Sequence, residues 1–130
     1  MPPTKRPGLP NSGEVTVTQA DGTDPQTVLD LPDDRLFEAH QLVVEYDPAA
    51  SVTTELTIHD DDAGTSNANL STRRKTVKNL TPGEVRAYDD LSMRDFENDV
   101  LVAADNNQDD DIVVYVDGKD ITSGLSPTSV

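Results

Sequence analysis

The stretch 37–62, FEAHQLVVEYDPAASVTTELTIHDDD, constrains the fold more than any other part of the chain. It holds the densest apolar material, is interrupted once by Asp47-Pro48, and closes on three aspartates. Proline fixes φ and carries no N–H, so Pro48 ends the first run. In the second run Val52, Thr54, Leu56 and Ile58 alternate with Thr53, Glu55, Thr57 and His59, the period of a half-buried strand. That alternation predicts the first set inward and His59 outward. The first run alternates imperfectly. Phe37, Ala39 and Val43 fall on one side and Leu42, Val44 and Tyr46 on the other, which implies burial on both faces or a β-bulge near Gln41. The short link at 48–51 predicts an antiparallel hairpin between the two runs.

Further strands are predicted at 14–20, 26–31, 75–80, 84–91, 99–104 and 112–116. Val15 and Val17 alternate with Thr16 and Thr18, whereas DVLVAA at 99–104 is apolar on successive residues, the pattern of a strand buried on both faces. Asp21-Gly22, Pro32-Asp33-Asp34 and Thr81-Pro82-Gly83 separate these runs, the last with Pro and Gly where a type II turn needs them. Asp117-Gly118 after IVVYV predicts a second hairpin, with a short strand returning over 119–122. SMRDFEN at 92–98 predicts one helical turn capped by Ser92.

Eight or nine short strands at a spacing of about ten residues predict an all-β chain: a single antiparallel β-sandwich, jelly-roll or immunoglobulin-like, over 14–122. Residues 1–13 form an extended arm, because Pro2, Pro3, Pro7 and Pro10 forbid helix and disfavour strand. Residues 123–130 are a polar tail.

A chain of 130 residues holds one core, and here it must be built with 34% apolar residues and five aromatics, none of them Trp. Nineteen Asp and six Glu against four Lys and six Arg give a net charge of −15. Short carboxylates hold water, and at about 1 M salt the Debye length falls to ~3 Å, which screens their repulsion. The composition therefore predicts a protein adapted to concentrated salt. It argues against a nucleic-acid partner, which requires a basic surface. There is no cysteine, and no apolar run reaches the length of a membrane-spanning helix. The opening MPPTKRPGLPNSGE contains no apolar signal-peptide segment.

Lys5 and Arg6 are the only charges of the arm, leaving eight bases against twenty-five acids, −17, on the remainder. A basic extended arm on an acidic body suits docking to another copy or an acidic neighbour. Arg73, Arg74 and Lys75 form the basic cluster of the body. They read as a partner interface or, equally, as local pairing for the loop at 60–62. Asp60-x-Asp62-x-Gly64 begins like a calcium loop, but position twelve is Ser71 rather than Glu. Both aspartate triplets, 60–62 and 109–111, therefore read as a hydrated surface holding cations loosely, and no metal or other cofactor is expected. His40 and His59, on the two predicted hairpin strands, supply two ligands without a third. No nucleophile elbow, HExxH, P-loop or dinucleotide fingerprint occurs, and the chain is not expected to be an enzyme.

The segment 80–118, LTPGEVRAYDDLSMRDFENDVLVAADNNQDDDIVVYVDG, joins a turn after a strand, a Tyr-Asp-Asp-Leu strand end, a Phe-bearing turn, a DVLVAA strand and a closing Asp-Gly. In this pattern it resembles small β-sandwich structural proteins of tailed viruses, and with the acidic composition, those of haloarchaeal tailed viruses. The resemblance implies a non-enzymatic, oligomeric virion protein: a capsid decoration or turret subunit that docks by its arm onto copies of itself and onto other virion proteins, the major capsid protein among them. The alternatives are a neck or tail component, or a secreted or cell-surface binding module of a haloarchaeon.

Overall fold

A computed structural model describes residues 12–31, 36–89, 95–105 and 107–121. Among these residues eight strands run in chain order: β1 Ser12–Val17, β2 Gln26–Leu29, β3 Phe37–Tyr46, β4 Thr54–Asp60, β5 Arg73–Leu80, β6 Val85–Tyr88, β7 Val100–Ala104 and β8 Ile112–Asp120. They form two four-stranded sheets, β1-β8-β3-β6 and β2-β7-β4-β5, and every neighbouring pair is antiparallel.

The topology follows from one nested rule. β1 pairs with β8, β2 with β7, β3 with β6 and β4 with β5, as in a long antiparallel ribbon doubled back at its middle. Rolling that ribbon brings β3 beside β8 and β4 beside β7, which completes both sheets. The sandwich is therefore a jelly roll rather than an immunoglobulin-like arrangement. Its core lies between the sheets and is filled by Phe37, Leu42, Val44, Tyr46, Leu56, Ile58, Leu80, Phe96, Ile112 and Val114, each no more than 1% exposed.

The rolled ribbon corrects the predicted hairpin at 37–58. β3 and β4 lie in different sheets, and the chain between them crosses from one layer to the other. β3 resolves the two readings of its mixed alternation. Its register shifts between Ala39 and Gln41. Phe37 and Ala39 face the core before the shift, and Leu42, Val44 and Tyr46 face it afterwards. One extra residue moves the frame by one, so a single buried face is kept by a bulge.

That bulge also explains Gly118. The chain does not turn at Asp117-Gly118. β8 continues through both residues, and Lys119 pairs with Glu38. A Cβ on Gly118 would lie 1.9 Å from the Glu38 carbonyl oxygen and 2.9 Å from the Phe37 ring. The glycine is there for close backbone approach, the other role this residue has in strands.

The turn at 81–84 does form as expected. Glu84 N–H donates to the Thr81 carbonyl at 3.0 Å, and Gly83 has φ +79°. The helical turn expected at 92–98, with its Ser92 cap, falls largely outside the described residues; within it Phe96 makes a two-bond antiparallel bridge with Phe37 (2.7 and 2.9 Å). β4 starts at Thr54 and runs on to Asp60, leaving Val52 41% exposed and before the strand.

β7 is buried on both faces, as its sequence predicts. Val100, Val102 and Ala104 join the core, while Leu101 and Ala103 are covered on the opposite side. The 61–72 connection is tied down there: Ala63 N–H donates to Asp99 Oδ2 (2.7 Å) and Asn67 Nδ2 to the Thr23 carbonyl (2.8 Å).

Candidate functional site

The acidic run that ends β4 is a bonding hub. Asp60 is 3% exposed. Its carboxylate lies 2.7 Å from Arg74 Nη2 and accepts the N–H groups of Asn98 (2.7 Å) and Glu97 (3.2 Å). Asp61 accepts the Ser71 hydroxyl at 2.9 Å and the Ser71 and Thr72 N–H groups at 3.2 and 3.3 Å. Asp99 accepts the N–H groups of Leu31 and Ala63, both at 2.7 Å. The Asp30 carboxyl is held above the ordinary range by its hydrogen bond to Asp99, by the Asp99 charge and by slight burial.

The reading of 60–62 as a hydrated, cation-holding surface is thus overturned for Asp60 and Asp61. Each is buried and supplies acceptors to loop N–H groups that have no ladder partner. Asp62 alone of the three is exposed. In the second triplet Asp109 plays a similar part, accepting the Tyr46 hydroxyl (3.1 Å) and the Ser51 N–H (3.0 Å). Desolvation pushes its pKa up, but the hydrogen bonds from Ser51, Tyr46 and Val52 outweigh this and leave it below the usual value.

The basic cluster occupies β5, an edge strand of its sheet. Arg73 is exposed and stands opposite His59 in the ladder. Arg74 turns inward: besides Asp60 it donates to the Asp95 carbonyl (3.1 Å) and lies 5.3 Å over the Phe96 ring. The Lys75 ammonium lies 4.4 Å over the Tyr88 ring. For Arg74 the geometry is that of local pairing with the 60–62 run. The row of cations on an edge strand also discourages pairing with another sheet. Lys5 and Arg6 lie outside the described residues.

His40 and His59 are not brought together, since they sit on different sheets. His40 is exposed and meets Glu38 at 2.9 Å. His59, predicted outward, is 7% exposed beneath the 61–72 connection, with Nε2 on the Thr57 hydroxyl at 2.8 Å. Desolvation lowers its pKa below the ordinary value, Asp61 pulls the other way, and Arg73 adds to the lowering. Among the described residues no group of three His, Cys, Asp or Glu is placed to hold a metal ion.

Arg86 was invisible to motif reasoning. It binds Glu84 (2.7 and 3.0 Å), the carbonyls of Lys78 and Asn79 (2.6 Å each) and the Tyr88 hydroxyl (3.3 Å). It stitches β5 to β6 across the corner where Asn79 has φ +54°. The hydrogen bonds from Arg86, followed by the Thr81 N–H, hold the Glu84 carboxyl down to about 2. The Glu-x-Arg spacing could have revealed it, because strand residues two apart share a face.

Among the described residues the surface has open depressions, with volumes that include about 160, 260 and 330 Å³. Their linings are mostly Thr, Asn, Asp and Glu. The one of about 330 Å³ is formed by Thr53, Thr54, Glu55, Asn79, Asp105 and Asn107. None contains a nucleophile in hydrogen-bonding register with a histidine. No protein-family model matches the chain, and no curated protein matches it either.

Proposed function

We propose that the chain is a non-enzymatic structural subunit of a halophilic virus particle, a capsid-associated decoration or turret protein that docks through its N-terminal arm. The observation that carries this reading is the nested eight-strand jelly roll, an architecture that recurs in virus shells. The support is architectural, as fold and function are separable. The charge pattern adds to it. A body of −17 with a +2 arm suits a particle assembled in concentrated salt from acidic subunits linked by basic arms.

The test is physical association. Particles banded in a density gradient at high salt, from cultures that express the chain, carry it at a fixed ratio to the major shell protein and shed it as salt is lowered. Recovery of the chain only from the cell surface or the medium, never with particles, would sink the reading.

A further inference from the structure

The outward face of the β1-β8-β3-β6 sheet carries an apolar bed with an acidic border. Strand alternation places Val113 and Tyr115 of β8 outward, between the buried Ile112, Val114 and Val116. The ladder sets Val113 beside Glu45, which faces Val85, and Tyr115 beside Val43, which faces Ala87. Val85 is 58% exposed, the larger of the two exposures among large apolar side chains of the described residues. Glu14 and Thr16 of β1 stand against Tyr115 and Val113, and Asp117 against Gln41. At one end the bed opens into a depression of about 260 Å³ lined by Thr16, Glu45, Asp47, Pro48, Asp111 and Val113. Lys119 stands at the other end, paired with Glu38.

We infer that this face is the receptor for the N-terminal arm of a second copy of the chain. Eleven residues, MPPTKRPGLPN, precede β1. Their four prolines remove the N–H groups that pairing to a sheet edge requires, so the segment suits a face rather than an edge. Pro7 and Pro10 are three apart, the repeat of a polyproline II helix, and such segments dock on apolar surfaces with an aromatic ring. Tyr115 with Val43 and Val113 supplies that surface. Lys5 and Arg6 carry the opposite charge to Glu14, Glu45, Asp47, Asp111 and Asp117, and the acidic depression receives one of their heads. Eleven residues in this conformation span about 34 Å, enough to cross between subunits. β1 starts at Ser12 on the edge of its sheet, paired with Asp117, and β8 continues beside its backward line as far as Asp120. A straight continuation of β1 follows that edge and does not cross its own outward face, so the face filled is a neighbour's.

This inference takes up the arm docking of the proposed function and names its receptor. The chain has no cysteine, so disulfide trapping is clean. Full-length Leu9→Cys and Val85→Cys variants are mixed under oxidising conditions at high salt, and the cross-linked peptides are identified by mass spectrometry. A bridge between the two variants is expected. Tyr115→Ala or Lys5→Glu/Arg6→Glu, with an unchanged circular dichroism spectrum, weakens self-association in sedimentation velocity by about tenfold or more. A bridge that forms only within the double variant Leu9→Cys/Val85→Cys, or none at all, overturns the inference. So does self-association unaffected by these substitutions. Particle association without the bridge overturns the receptor alone, whereas the bridge without particle association overturns the virion role alone.

Discussion

The Asp60 carboxylate lies 2.7 Å from the Arg74 guanidinium, joining the last residue of β4 to the edge strand β5. Side-chain exposure is 4% for Asp60 and 24% for Arg74, and the guanidinium rests on Phe96, which is bridged to Phe37 in the other sheet. One ion pair thus connects an edge strand, a loop and the opposite layer.

Arg74→Ala leaves Asp60 buried with two N–H donors and no cation. Removing one partner of a buried pair is costly, and a loss of about 3 kcal/mol is expected. Denaturant unfolding at high salt measures it, where exposed pairs are screened and a buried one is not. A change below about 0.5 kcal/mol would mean that the backbone donors hold Asp60 unaided.

Gly118→Ala drives a methyl group into the Glu38 carbonyl inside a packed ladder. A loss of about 3 kcal/mol is expected from such overpacking. Gly64→Ala is the comparison. That glycine has φ +92° and open space around it, so only backbone strain of about 1 kcal/mol applies. Equal losses in the two variants would contradict the close-approach account of Gly118.

His59 confers a pH dependence whose sign follows from its lowered pKa. Between its folded pKa and the ordinary 6.5 the unfolded chain binds more protons, so stability rises with pH there. The stabilisation is fully present above 6.5 and is lost as pH falls towards the folded value. Unfolding midpoints measured over this range should slope for the native chain and flatten for His59→Gln. Parallel profiles would assign the slope to other groups.

Added potassium chloride should raise the unfolding midpoint steeply up to about 1 M, as repulsion within a body of −17 is screened. Thermal unfolding across a salt series measures this, and a flat response would remove the basis for reading the composition as salt adaptation.

Where the fold departs from its local sequence patterns, the departures share a cause. Asp117-Gly118 has the chemistry of a tight turn, yet glycine also serves where two backbones crowd, and only the position of Glu38 distinguishes the roles. A four-residue link suggests a hairpin, but 48–51 serves equally to step between layers. His59 holds an outward position in the alternation and is buried all the same, because the connection at 61–72 covers that face. The aspartates of 60–62 look alike in sequence. Asp60 and Asp61 became structural acceptors because unladdered N–H groups surround them.

The strand class, most strand positions, the type II turn at 81–84 and the bulge as one of two readings of β3 were legible in the residues. These depend on side-chain period and turn chemistry, which act over a few residues. The tertiary structure alone decided the nested pairing, the inward turn of Arg74, the burial of His59 and the apolar bed around Tyr115. Each requires strands far apart in the chain to meet, as β1 meets β8, and no local pattern encodes which distant edge a strand will find.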